Sequence, residues 1–236
     1  MRILAFETSA KAASVALLED GHLIGEYYQF SGQTHSRTVM KLAADLLENC
    51  DLTAKDVDLV AYANGPGSFT GIRIGIAAAK GFCWGLELQC VPVSTLEAMA
   101  WSRSDLEGTV CCCMDARRSQ VYNALFSVSG GKVTRLTEDR AISLEELSSE
   151  LDRIPSPVYL VGDGALLTWN TLGERYPSLI LTAEHLRQQR AAGVALAGWQ
   201  AALRGKAESA ALSLPNYLRL SQAERERLSK EHEKGE

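Results

Sequence analysis

A strand-to-helix turn is encoded by the stretch Asn64-Gly65-Pro66-Gly67-Ser68-Phe69-Thr70-Gly71-Ile72-Arg73-Ile74-Gly75. The apolar residues 59–63 before it predict a strand, and the small and apolar residues 72–86 after it predict a long helix. Its glycines permit backbone angles that a side chain would forbid, and its proline stiffens the turn. A turn of this kind between an apolar strand and an apolar helix predicts an α/β fold arranged around it.

A glycine-rich strand-to-helix turn also raises the question of phosphate binding, since the first N–H groups of a helix attract anions. A phosphate loop requires Lys followed by Ser or Thr after its last glycine, whereas Gly71 is followed by Ile72. A dinucleotide-binding turn requires a third glycine, and Thr70 stands in its place. The spacing therefore favours a structural turn in which Ser68 or Thr70 caps the helix.

The helix predicted over residues 72–86 has more apolar and small residues than a helix with one buried side needs. Arg73, Lys80 and Trp84 fall on one narrow face of it, because seven and eleven residues are close to whole numbers of helical turns. Two interpretations are open at this point. The helix is either sandwiched between two layers of the core, or its face with these three residues binds a partner protein.

Composition is that of an ordinary soluble protein with one large or two small domains. The chain has 236 residues, of which 46% are hydrophobic and 22% charged, and its net charge of −5 argues against tight autonomous nucleic-acid binding. Glu7 comes too early for a signal peptide, and charges interrupt the most apolar region, 72–93, so no membrane span is expected. Six cysteines without a Cys-x-x-Cys pair predict reduced thiols and a cytoplasmic location.

One order of predicted elements is used twice along the chain. A meander of strands is predicted over residues 2–30, and a second begins at residue 110. Glu7 and Asp115 occupy matching positions, since each ends an apolar strand just before a tight turn. The repetition predicts two mixed α/β lobes of ribonuclease-H-like type, the architecture of the actin, hexokinase and chaperone-ATPase superfamily. Proteins of that architecture hold ATP between the lobes, with an acidic residue at each hairpin, so Glu7 and Asp115 are the candidate nucleotide-site residues.

We divide the chain into an N-terminal lobe over residues 1–103 and a C-terminal lobe over residues 104–221. Within the second lobe, the pattern predicts one helix over residues 183–203. Residues 222–236 alternate Glu with Arg and Lys and have almost no core residues, which predicts a charged, flexible tail.

A second helix with surplus apolar surface is predicted over residues 34–49. Val39 belongs to its apolar stripe, and Met40, Ala44 and Leu47 widen that stripe beyond what core packing needs.

Residues 65–75 resemble the signature of the bacterial TsaB (YeaZ) family, a family of non-catalytic relatives of TsaD. Further matches extend the resemblance over nearly the whole chain, namely Ile3-Leu4-Ala5-Phe6-Glu7-Thr8-Ser9, Pro92-Val93-Ser94-Thr95-Leu96, Met114-Asp115-Ala116-Arg117 and Tyr217-Leu218-Arg219. The resemblance implies a role in making threonylcarbamoyladenosine, next to the anticodon, in tRNAs that read codons beginning with adenine. Members of the family act without catalysing the transfer themselves. They bind TsaD, which carries the metal, and an ATPase subunit, TsaE.

The resemblance also implies self-association, with tRNA contacted only through the complex. It places the partner surface on the helices predicted over 34–49 and 72–86, where small residues would permit close approach of another helix. The candidate partner-binding residues are His35, Val39, Met40, Ala44, Leu47, Arg73, Gly75, Ala79, Lys80 and Trp84. No tightly bound cofactor is expected, and any ATP or ADP would lie at a partner interface.

The family once bore the label glycoprotease, which the residues do not support. TsaD holds its metal with a His-x-x-x-His pair, whereas His22, His35, His185 and His232 are all far apart in sequence. A His-Glu-x-x-His helix and a Gly-x-Ser-x-Gly nucleophile turn are also missing from the sequence. We therefore disfavour a metalloprotease and expect no metal site.

The alternative function is a small-molecule kinase or ATPase of the same fold. Glu7 and Asp115 would face each other across its cleft, where paired acids can hold Mg²⁺ or a water. Residues 7–10 lack the glycine that gives phosphate room in kinases of this superfamily. This difference favours a degenerate nucleotide cleft over a working ATPase.

Overall fold

Two β-sheets form the framework of the computed structural model, which describes residues 1–154 and 157–219. In the first sheet the order is β12–β5–β4–β1–β2–β3, with bounds Glu208–Ser209, Gln89–Ser94, Leu59–Gly65, Arg2–Glu7, Ala13–Glu19 and His22–Gln29. β1, β2 and β3 form an antiparallel meander, and β4 and β5 extend it in parallel with β1.

The second sheet repeats this plan. Its order is β11–β10–β6–β7–β8, with bounds Leu179–Leu181, Val158–Val161, Gly108–Asp115, Gln120–Ser129 and Lys132–Arg135. A further strand, β9 (Arg140–Ser143), pairs with β7. β6 and β7 are antiparallel, and β10 and β11 continue in parallel with β6. The predicted pair of α/β lobes built on one repeated unit is confirmed.

Helices cover both faces of the sheets. Their bounds are His35–Asn49 (α1), Phe69–Leu86 (α2), Thr95–Trp101 (α3), Leu144–Leu151 (α4), Ala165–Leu172 (α5), Glu184–Arg187 (α6) and Ala191–Leu203 (α7). α1 and α2 pack on one face of the first sheet, and α7 packs on the other. α4 and α5 pack on the second sheet, while α3 lies between the two lobes and packs on both.

The central strand β1 shows why the first sheet needs helices on both sides. Leu4 and Phe6 point toward α1 and α2, whereas Ile3 and Ala5 point toward α7. Alternate strand residues face opposite sides, so a strand that is apolar on both faces must be covered twice.

Three of the sequence expectations about organisation are modified or lie outside the described residues. α7 and β12 come from the predicted C-terminal lobe, 104–221, yet they pack on the first sheet. The helix predicted over 183–203 is broken between α6 and α7, where the backbone of Gln188 and Arg190 is extended. The predicted tail, 222–236, lies outside the described residues.

Candidate functional site

The glycines of the turn between β4 and α2 are packed against the residues that follow β1. A side chain at Gly71 would overlap the carbonyl oxygen of Thr8, and one at Gly75 would overlap Thr8 Oγ1. Gly67 lies close to the carbonyl oxygen of Ser9 in the same way. The glycine spacing therefore lets α2 approach the β1–β2 turn at backbone distance.

Hydrogen bonds from α1, from α2 and from the residue before α2 hold the β1–β2 turn in place. Thr8 Oγ1 donates to the Gly71 carbonyl at 2.8 Å, and the Ser68 N–H donates to the Ser9 carbonyl at 2.7 Å. From α1, His35 Nε2 donates to the Ala10 carbonyl at 2.7 Å. The predicted cap is confirmed, since Ser68 Oγ accepts the Gly71 N–H at 3.2 Å. The β1–β2 turn is thus fixed to both helices of this face.

A cleft of about 720 Å³ opens between the two lobes. One wall is formed by the β1–β2 turn, Ser9–Lys11, and by the start of α2, Gly67–Thr70. The opposite wall is formed by the end of β6 and the turn after it, Met114–Arg117, with Asp163 and Arg219 beside them. This is the position predicted for a nucleotide cleft.

The two predicted acids occupy different depths at this cleft. Asp115 lines it and is exposed, and one of its carboxylate oxygens accepts the Arg117 N–H at 2.7 Å. Glu7 is only 1% exposed and lies behind the wall, where its Oε1 accepts the Ser9 N–H at 2.6 Å. Among the described residues, Glu7 Oε2 has no hydrogen-bond partner. The predicted facing pair is therefore one surface carboxylate and one buried carboxyl group.

A third acid, Asp163, interacts electrostatically with both Glu7 and Asp115. It lines the cleft at the turn between β10 and α5, and a Cβ on either neighbouring glycine would overlap the end of β6. Its carboxylate accepts a hydrogen bond from Gln189 Nε2 at 2.8 Å. The turn Gly162-Asp163-Gly164 is visible in the sequence, but its place beside Asp115 depends on the pairing of β10 with β6.

Burial controls the protonation of the two deeper acids. Loss of solvent raises the pKa of Glu7 to about 7, although the hydrogen bonds from Ser9 oppose this shift and the Asp163 charge adds to it. Burial likewise raises the pKa of Asp163, and the charge of Asp115 adds to the increase. At neutral pH the buried Glu7 behind the cleft wall is therefore only partly ionised.

Some of the residues predicted to bind a partner do not lie on the outer face of α1 and α2. Val39, Leu47, Gly75 and Ala79 are buried within the chain, because they face the first sheet or the β1–β2 turn. They belong to the core of this lobe, which corrects their assignment to a partner surface.

Six members of that set are at least partly accessible. Met40, Ala44, Arg73 and Trp84 are exposed, while His35 and Lys80 are half-buried. Trp84 is 84% exposed, which is unusual for so large an apolar side chain. On the same helix, Gly81 is exposed and has open space where a side chain would stand. Gly81, unlike Gly75 and Ala79, is thus a small residue of α2 that faces outward.

The C-terminal segment contributes a residue that the sequence does not connect with this face. The Tyr217 ring stacks on Phe69 at a centroid distance of 4.2 Å, and the Tyr217 hydroxyl accepts a hydrogen bond from Arg73 Nε at 2.7 Å. Two residues later, Arg219 Nη1 donates to the Ala116 carbonyl in the second lobe at 2.8 Å. Arg73, predicted as a partner-binding residue, is thus held by Tyr217.

Comparison with known proteins identifies the family. A family model described as TsaD, tRNA N6-adenosine threonylcarbamoyltransferase, matches residues 29–227. The Bacillus subtilis tRNA threonylcarbamoyladenosine biosynthesis protein TsaB is 34% identical over 162 residues, which cover 69% of this chain and 71% of that protein. The chain belongs to the TsaB family. The family predicted from the sequence is thereby confirmed.

Solved structures agree with this membership and with the fold class. A Pseudomonas aeruginosa protein described as similar to the peptidase YeaZ superimposes with a TM-score of 0.78 at 28% identity, covering 92% of this chain and 99% of that one. Component A of (R)-2-hydroxyglutaryl-CoA dehydratase from Acidaminococcus fermentans gives a TM-score of 0.51 at 13% identity, covering 86% of this chain and 99% of that one, so the likeness is one of fold alone. The predicted fold of two ribonuclease-H-like α/β lobes is confirmed.

Two further structural observations on this TsaB-family chain concern metal ligands and helix polarity. Within residues 1–154 and 157–219, no group of three or more His, Cys, Asp or Glu side chains is arranged to hold a metal ion. In the same part of the chain, every helix is too short or too polar to cross a membrane.

Proposed function

We propose that this protein is a non-catalytic subunit in the synthesis of threonylcarbamoyladenosine in tRNA, and that it acts by binding a TsaD-type catalytic subunit. The modified base is the adenosine next to the anticodon in tRNAs that read codons beginning with adenine. The names of its relatives support the pathway, and the match to a TsaD family model supports a partner of related fold.

The observation that carries the proposal is the outward face of α1 and α2. Met40, at 44% exposure, and Trp84, at 84%, are large apolar side chains that gain nothing from water. Ala44 on α1 and Gly81 on α2 are small and exposed, so that another helix could approach closely at these two positions. An exposed tryptophan surrounded by small residues is typical of the centre of a protein–protein interface.

The β1–β2 turn supports a role without catalysis. In a kinase of this fold, backbone N–H groups of that turn must be free to contact phosphate. Here the Ser9 N–H donates to Glu7. The Ser9 carbonyl and the Thr8 hydroxyl are bonded to Ser68 and Gly71 at the start of α2. Phosphate could reach the Ser9 N–H only by displacing the buried carboxyl group of Glu7.

The rest of the proposal concerns the assembly. A TsaE-type ATPase joins the complex, tRNA is contacted only through it, and the chain pairs with itself when the catalytic subunit is absent. Any ATP or ADP binds at a partner junction rather than tightly to this chain. The complex works in the cytoplasm.

The test is a substitution of Trp84 measured against a matched control. Trp84→Ala should weaken binding to the purified TsaD-type subunit of the same organism by about thirty-fold, as for a central interface tryptophan. Leu136→Ala removes an apolar side chain that is 52% exposed on the second lobe and should leave binding unchanged. Calorimetric titration gives both affinities, and thermal melts establish that both variants fold. Equal affinity of Trp84→Ala and the unsubstituted chain would remove this face from the proposal.

The alternative activity, ATP hydrolysis or phosphoryl transfer, is favoured by one observation. The cleft is large enough for a nucleotide and has Asp115 and Asp163 on its surface. We expect the unsubstituted chain to show no ATP turnover above the level of the Asp163→Asn variant. Such turnover, measured as released phosphate, would favour the kinase or ATPase.

A further inference from the structure

We propose that Tyr217 is a positioning residue for partner binding: it holds Arg73 on the outer surface of α2 so that the guanidinium can bind a carboxylate of the catalytic subunit. This inference rests on the proposed function and extends it to the C-terminal segment. It also identifies the chemistry of the partner, which must present an acidic side chain next to an apolar helix face.

The segment around Tyr217 is itself held in place at three points. Before it, Ser213 is 1% exposed with its hydroxyl 3.3 Å from Cys90 Sγ, and the Asn216 N–H donates to the Asn64 carbonyl at 2.7 Å. After it, Arg219 bonds to Ala116. A residue with anchors on both sides loses little freedom when a partner binds, which favours affinity.

The glycine-rich turn makes room for this segment. Gly65 has φ of +122°, and a Cβ there would lie 2.5 Å from the Asn216 carbonyl oxygen. The turn therefore has two packing surfaces: it fits the β1–β2 turn on one side and the C-terminal segment on the other.

Tyr217 then fixes the direction of Arg73. Its ring lies on Phe69 with an interplanar angle of 18°, and its hydroxyl takes the single Nε–H of Arg73. The guanidinium carbon is 5.7 Å from the Tyr217 ring centre. Both terminal nitrogens of Arg73 are left for another acceptor, because no carboxylate within residues 1–154 and 157–219 is within salt-bridge distance.

Such an arrangement suits a carboxylate better than other acceptors. A guanidinium whose Nε is already occupied can still present its two terminal N–H groups in a plane to the two oxygens of a carboxylate. Arg73 is exposed on the same helix as Trp84, three helical turns earlier, so one partner helix could contact both.

The experiment is a double-mutant cycle on affinity for the TsaD-type subunit. Tyr217→Phe keeps the stacking and removes only the hydroxyl, and it should weaken binding about five-fold. Arg73→Lys keeps the charge but loses the planar fork, and it should weaken binding about ten-fold. In the Arg73→Lys background, Tyr217→Phe should have no further effect, since its target is gone.

Salt dependence separates positioning from a structural effect. The affinity of the unsubstituted chain should fall with added salt more steeply than that of Arg73→Ala, whereas the thermal midpoints of all variants should stay close together. An unchanged affinity of Tyr217→Phe, or the same loss in both backgrounds, would overturn the inference. Failure of the unsubstituted chain to bind the subunit at all would instead overturn the proposed function.

Discussion

Two glycines of α2 have opposite structural roles although they are only six residues apart. Gly75 faces the β1–β2 turn, where a methyl group would overlap Thr8 Oγ1 and disturb its bond to Gly71. Gly81 faces outward, and no atom lies within 4 Å of the place that a Cβ would take. The first is required by packing, whereas the second weakens the isolated helix because glycine is a poor helix former.

We therefore expect alanine to act in opposite directions at these sites. Gly75→Ala should lower the free energy of unfolding by about 1–3 kcal/mol because of overpacking. Gly81→Ala should raise it by about 0.5–1 kcal/mol. Urea unfolding of the three proteins side by side measures both. Equal destabilisation by the two substitutions would mean that both faces of α2 are packed.

The buried carboxyl group of Glu7 predicts an unusual pH dependence. Its pKa is raised from 4.5 to about 7, so between these values the folded chain binds more protons at this site than the unfolded chain. The contribution of Glu7 to stability must then decrease as pH rises from about 4.5 to 7, and it levels off above 7 at a loss of about 3 kcal/mol.

Glu7→Gln is the matched variant, because the amide oxygen can still accept the Ser9 N–H without becoming charged. The difference in unfolding free energy between Glu7→Gln and the original chain should grow in favour of the variant from pH 5 to pH 8. Because Asp163 is present in both proteins, its titration largely cancels in the difference. Parallel pH curves would show that Glu7 is ionised throughout.

At the scale of the element, one carboxylate helps to fix where α7 begins. Glu26 on β3 accepts the Ala192 N–H at 3.1 Å and pairs with Arg190 Nη1 at 2.7 Å. It therefore caps the first turn of α7 and also neutralises the residue before it, which requires an extended backbone at Arg190. Ser14 Oγ also accepts the Ala191 N–H at 2.8 Å, so both contacts favour a helix that starts at Ala191.

Removing this cap should lower the free energy of unfolding more than removing an exposed ion pair of the same sheet does. The Glu26 side chain is 10% exposed, so Glu26→Ala leaves a half-buried guanidinium without its partner and should cost about 2–4 kcal/mol. Glu19→Ala breaks the more exposed pair with Arg2 and should cost less than about 1 kcal/mol. Thermal or urea unfolding distinguishes the two, and similar small losses would show that water replaces the carboxylate at α7.

Local contacts made several elements predictable from sequence. Ser68 and Ser143 cap their helices through residues three positions away, so their patterns predict the helix starts. The break before α7 and the place of Tyr217 depend on residues 164 and 144 positions away, which no local pattern contains. The same limit applies to α2, whose composition did not show which of its small residues face the core.

For the whole molecule, the repeat in the sequence was sufficient to predict two lobes and acids at matching hairpins. It could not predict that Glu7 would be buried while Asp115 is exposed, because that difference arises from packing of α2 and the turn at Asp163. Nor could it show that the chain returns to its first lobe at the end. That return makes the lobes unequal in sequence although they are similar in plan.

The return of the chain has a consequence for folding of the first lobe. Ile3, Ala5 and Ala61 lie on the face of the first sheet that α7 covers, and a fragment limited to residues 1–103 would leave them in water. Exposing an apolar sheet face removes much of the hydrophobic free energy that holds a small domain together. We therefore expect the fragment 1–103 to lack a cooperative melt.

A chain in which a short flexible linker joins 1–103 to 189–219 restores α7 and β12 and should melt cooperatively. Both chains expose the same side of α3, so the comparison isolates the contribution of the returning segment. Circular dichroism on heating measures the difference, and a cooperative melt of the bare fragment would show that residues 1–103 are an independent domain.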